Sequence, residues 1–136
     1  MATKVFINLP VKDLDKSVSF FSNLGYYFNP QYTDENAACM SISDSVFAML
    51  MTKNYFKTFT KKQVSDAKTF TEVLIAVDTN SREEVQQIVA KASALGASIY
   101  NEPQDHGWMY QHCFADLDGH QWEFMYMDNS QLPNQD

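Results

Sequence analysis

The chain repeats itself. A strand-like run, an amphipathic helix ending in Leu-Gly and a set of further strands occur once before residue 53 and again after residue 71. Neither half can cover both faces of its own small sheet. Pairing two such halves into one curved mixed sheet, helices outside and a concave cavity within, is the economical way to bury them. The expected class is therefore α+β: two βαβββ modules, about 4–52 and 71–128, joined by a connector, 53–70. A chain of 136 residues, 45% of them hydrophobic, suits a single domain with a real core.

Local signals place the elements. Val5, Ile7 and Leu9 alternate with Phe6 and Asn8 as in a strand, which Pro10 is expected to stop. Asp13 is placed to cap a helix whose apolar face is Leu14, Val18, Phe21 and Leu24, and Gly25 stands where a left-handed residue ends it. Residues 37–43 and 46–51 read as a hairpin turning at Asp44-Ser45. The apolar run Val73–Val77 predicts a buried strand. Ser81 with Glu84 forms a capping-box signature for a second helix, with the stripe Val85, Ile88, Val89, Ala92 and Leu95 and closure at Gly96. Strands near 98–101, 109–115 and 121–127 follow, the last two turning at Asp118-Gly119.

The connector carries Lys53, Lys57, Lys61, Lys62 and Lys68 among Tyr55, Phe56, Phe59 and Phe70. It reads as a linker packed on a sheet edge, with a lid or a dimer-facing arm as the alternative. The terminal QLPNQD is expected to fray. A net charge of −7 argues against nucleic acid or an anionic membrane as partner. Arg82 is the sole arginine, which disfavours strongly anionic substrates. No apolar run approaches the roughly 20 residues that span a bilayer, and no signal-like N-terminal core is present, so a cytoplasmic location is expected. Cys39 and Cys113, far apart and outside any CxxC pair, read as two buried thiols. Nucleophile elbows, Walker loops and dinucleotide fingerprints are absent.

Two stretches then become specific. VFINLPVKDLDKSVSFF near the start and FADLDGHQWEF near the end resemble the signature segments of the vicinal-oxygen-chelate superfamily, which includes glyoxalase I, bleomycin-resistance proteins and extradiol dioxygenases. The resemblance covers nearly the whole chain. It implies four metal-ligand positions, one per strand, usually His or Glu. In this chain they fall on Phe6, on Met49 (or Met51 if the register moves by two), on Glu72 and on Glu123. A phenyl ring cannot ligate a metal. A thioether suits copper(I) rather than the divalent ions this superfamily uses, and two carboxylates alone hold such an ion weakly. No tightly bound metal and no other cofactor is expected; a weak divalent ion would use Glu72 and Glu123.

The candidate catalytic residues are Glu72, Glu123 and His112. If the two carboxylates share a cavity, mutual repulsion and desolvation favour a proton on one of them. His112, on one strand face with Tyr110 and Phe114, is either a satisfied strand residue or a proton carrier. His106 and His120 read as exposed. The candidate ligand-binding residues are Phe6, Asn8 for its amide, Met49, and Trp108 and Tyr110 as stacking surfaces. The leading expectation is a glyoxalase/bleomycin-resistance-like protein that binds a small, largely apolar or aromatic molecule in a cavity lined by Phe6, Asn8, Met49, Glu72, His112 and Glu123. Resistance relatives act by sequestration, which needs no metal. The competing class is an enzyme, either a metal-dependent lyase or isomerase or a metal-free acid-base catalyst. A third is a dimerising scaffold, the resemblance implying a homodimer with the connector as exchange element.

Overall fold

A computed structural model of the chain describes residues 1–132. It consists of two compact units, Met1–Ser65 and Asp66–Asp136. The expected fraying of the last six residues lies largely outside the described part.

In the first unit, β1 (Val5–Val11) leads into α1 (Leu14–Leu24), then β2 (Tyr27–Asn29), β3 (Ala37–Ser41) and β4 (Val46–Thr52), followed by the short α2 (Lys53–Phe56). The second unit runs β5 (Leu74–Asp78), α3 (Arg82–Ala94), β6 (Gln104–Asp105), β7 (Met109–Ala115) and β8 (Gln121–Met127). Each unit is thus βαβββ. The duplication extends to the pairing: the sheets order as β1-β4-β3-β2 and β5-β8-β7-β6, with the first strand of each unit parallel to its last.

The helix ends follow their chemistry. Asp13 accepts from the Lys16 amide and Ser81 from the Glu84 amide, each satisfying an orphan donor of the first turn. The Glu84 carboxylate reaches back to the Asn80 amide rather than to the cap itself. Gly25 and Gly96 take φ of 107° and 108°, the left-handed closure that side-chain-bearing residues resist.

Three expectations need correcting, and one strand is additional. β1 does not stop at Pro10 but continues to Val11, because it is an edge strand of its sheet. The Val5 amide bonds towards β4, so alternation turns the Pro10 nitrogen outward, where no ladder donor is needed. The 73–77 run is buried on one face only: Ile75 is 9% exposed, Leu74 52% and Val73 55%. It too is an edge strand, paired in its sheet with β8 alone. The strand expected at 98–101 contracts to one bridge between Ser98 and Ala115, and Gln104–Asp105 takes the place beside β7. Finally β2, a three-residue strand, escaped the reading because it is too short to show a period.

β6 is fastened from outside the sheet. Arg82, at the start of α3, makes a bidentate pair with Asp105 at 2.6 and 2.9 Å, donates to the Gly107 carbonyl, and lies 5.4 Å from the Tyr110 ring centre. The Arg82 guanidinium and the Gly107 amide hold the Asp105 carboxyl down at about 2. A carboxyl depressed in the fold adds stability above its unfolded value of 3.8, and that contribution disappears as pH falls through about 2. Substituting Arg82→Gln should move the Asp105 titration, followed by carboxyl-carbon NMR, back towards the ordinary carboxylate range. An unmoved midpoint would mean the pair is not the cause.

Candidate functional site

In the first unit the two sheet faces differ sharply. Leu9, Val11, Ala38, Met40, Ala48 and Leu50 alternate onto one face and are all buried, as are Phe20, Phe21 and Leu24 of α1. The opposite face carries Phe6, Asn8, Phe47, Met49, Cys39 and Asn29. Register aligns them: Phe6 faces Phe47, Asn8 faces Met49, Met49 faces Cys39, and Cys39 faces Asn29. With Lys4 and Tyr32 they line a cavity of about 400 Å³.

Its walls are built by specific local contacts. The Phe6 and Phe47 rings stack with centres 5.0 Å apart and planes 16° from parallel. Lys4 Nζ lies 5.7 Å from the Phe47 ring centre. Asn29 and Tyr32 reach the cavity because the Asn29-Pro30 step breaks β2 into a single 3-10 turn, with Asn29 Oδ1 accepting from the Gln31 amide. Thr33 then ties this turn to β3, its hydroxyl donating to the Asn29 carbonyl and accepting from the Cys39 amide. Burial pushes the Cys39 thiol up, so it lines the cavity as a neutral, soft surface.

Of the expected ligand-binding residues, Phe6, Asn8 and Met49 therefore come together. Their neighbours Lys4, Asn29, Tyr32 and Phe47 were missed. Phe47 carried a usable signal, since it lies two residues before Met49 on a strand and so shares its face.

The second unit does not assemble its expected trio. Glu123 pairs in register with Cys113, whereas His112 pairs with Phe124, which is fully buried. Alternation therefore puts His112 on the face opposite Glu123, where its Nε2 lies 3.0 Å from the Asn101 carbonyl. Tyr110 shares the His112 face and is held by Arg82. Trp108 is half-buried in the approach to β7, and Glu72 is exposed just ahead of β5. His106 is exposed as expected, while His120 is half-buried. Beside Glu123 are Cys113 and Tyr100, whose thiol and hydroxyl are both pushed up, chiefly by burial.

The keystone of this unit is Asp116, in the loop between β7 and β8. It is 6% exposed and accepts from Trp122 Nε1 and from the Asp118 and His120 amides, each at 3.0 Å. A second hollow of about 460 Å³ lies near this loop, lined by Lys68, Thr71, Ser98, Tyr100 and Gln121 among others, and contains none of the candidate catalytic or ligand-binding residues.

The strand order and the paired βαβββ units can now be set against known proteins. Residues 3–43 match the family described as bleomycin resistance protein-like N-terminal. Over nearly their full lengths, solved structures superpose on the chain. A hypothetical protein from S. aureus gives a TM-score of 0.79 at 28% identity, covering 93% of this chain and 95% of its own. The chain has the vicinal-oxygen-chelate fold. A glyoxalase-related enzyme from Fulvimarina pelagi shares this fold at TM-score 0.79 and 17% identity, covering 99% and 94% of the two chains. A fosfomycin resistance protein from Listeria monocytogenes shares it at 0.69 and 20%, covering 99% and 96%. Among curated proteins none matches this sequence.

The metal that the superfamily implies finds a poor donor set in the first unit. The two positions there on which the resemblance places ligands hold Phe6, stacked on Phe47, and the thioether of Met49. Among the described residues no three His, Cys, Asp or Glu side chains gather as a metal site. The residues present do not fit a hard divalent ion.

Proposed function

We propose that this glyoxalase/bleomycin-resistance-like protein binds a small, largely apolar or aromatic molecule in the cavity of its first unit, without a catalytic metal. The observation that carries this reading is the lining itself. Stacked phenyl rings, a thioether and a neutral thiol form an apolar bed, with two amides to orient a ligand, the composition of a small-molecule site. Fosfomycin resistance in a protein of the same fold lends support to a role in handling a small toxic molecule.

The metal-free enzyme alternative requires Glu72, Glu123 and His112 to act on one substrate. The opposite facing of Glu123 and His112 weighs against a shared proton relay. Native mass spectrometry with elemental analysis, on protein purified without chelator, tests the proposal. It should give no stoichiometric divalent metal and a retained organic adduct. One equivalent of zinc, nickel, iron or manganese would overturn it in favour of a metal-dependent lyase or isomerase.

A further inference from the structure

The charge around the cavity narrows the ligand class. Acidic residues outnumber lysine and arginine by 17 to 10 in this chain, yet the cavity lining holds one lysine and no carboxylate. Lys4 is exposed at the cavity, and among the described residues no carboxylate lies within ion-pair distance of it. The Asn29 amide points the same way. Its Oδ1 already accepts from the Gln31 N–H, and its Nδ2 remains a donor for a ligand. The cavity therefore presents a cation, balanced by no lining carboxylate, beside a bed of aromatic rings, and an anion is its electrostatic complement.

We infer that the ligand is a planar aromatic acid, its ring extending the Phe6–Phe47 stack and its single carboxylate held by Lys4. This rests on the small-molecule reading above and sharpens it. Phe6, stacked on Phe47 and 52% exposed, can take a ligand ring that continues the stack. One flexible ammonium is a point charge suited to one carboxylate. The bidentate fork that grips phosphates is missing, since the sole arginine is engaged with Asp105.

The experiment compares 2-naphthoate with its neutral counterpart 2-naphthamide by calorimetry at pH 7 and low salt, on the full-length protein and on Lys4→Met. Lys4 is exposed and precedes β1, so its replacement leaves the folded core intact. The native protein should bind naphthoate about fivefold more tightly, the size expected of one partly exposed ion pair. That margin should shrink in 0.5 M salt, about where the screening length approaches contact distance. Lys4→Met should bring naphthoate down to the affinity of naphthamide. Equal binding of the two probes by the native protein, or a preference that survives Lys4→Met, overturns the aromatic-acid assignment while the apolar cavity reading stands. Failure of both probes to bind at millimolar concentration overturns both.

Discussion

Asp116→Ala should cost about 3 kcal/mol of stability, read by urea denaturation with tryptophan fluorescence. The carboxylate accepts from the fully buried Trp122 indole and from two amides of its own loop. Alanine removes both acceptor oxygens, and with them three hydrogen bonds, and deprives the largest core side chain of its carboxylate partner. The charge itself is a liability: burial pushes the Asp116 carboxyl up, against the His120 charge and the hydrogen-bond donors that pull it down. Asp116→Asn, which keeps an oxygen acceptor and discards the charge, should therefore cost about 1 kcal/mol. The pH signs of Asp116 and Asp105 are opposite. A carboxyl raised in the fold holds its proton there more tightly than in the unfolded chain, so its contribution is full below 3.8 and is lost as pH rises through its folded value. Asp105, depressed by Arg82, behaves the other way. An alanine variant within about 0.5 kcal/mol of the native protein would show that the loop does not depend on this carboxylate.

Met49→Trp should abolish most ligand binding without unfolding the protein. Met49 is half-buried and lies at the centre of the cavity face, between Asn8 on β1 and Cys39 on β3. An indole there grows into open space rather than into the α1 side of the sheet. If it denies an aromatic ligand roughly 80 Å² of apolar contact, the loss is about 2 kcal/mol, or roughly 30-fold in affinity. Met127→Trp, at an exposed position on β8, serves as the control and should leave binding unchanged. Comparable affinities for both variants would place the site elsewhere.

These two positions also mark how far the sequence could be read. The duplication, both capped helices, the β3–β4 hairpin and the β7–β8 hairpin were legible because each rests on local chemistry: a period, a cap or a turn. Asp116 was visible within FADLDGHQWEF, but its role was not. Nothing in a sequence says that an aspartate will be buried under the indole six residues later. Phe6, Asn8 and Met49 were found by resemblance and by alternation. Asn29 and Tyr32 were missed because a three-residue strand broken by Asn-Pro has no periodic signature. His112 and Glu123 were grouped on chemistry alone. The antiparallel register that separates them is a pairing between strands, and neither strand's own pattern encodes it.

The most direct test of the cavity assignment uses the methionines as reporters. With methyl-labelled methionine, titration of 2-naphthoate followed by NMR should move the Met49 resonance most. Met40, buried on the α1 side of the same sheet, and Met109, Met125 and Met127 of the second unit should stay nearly still. Saturable shifts centred on Met109, Met125 or Met127, with Met49 unmoved, would contradict the account.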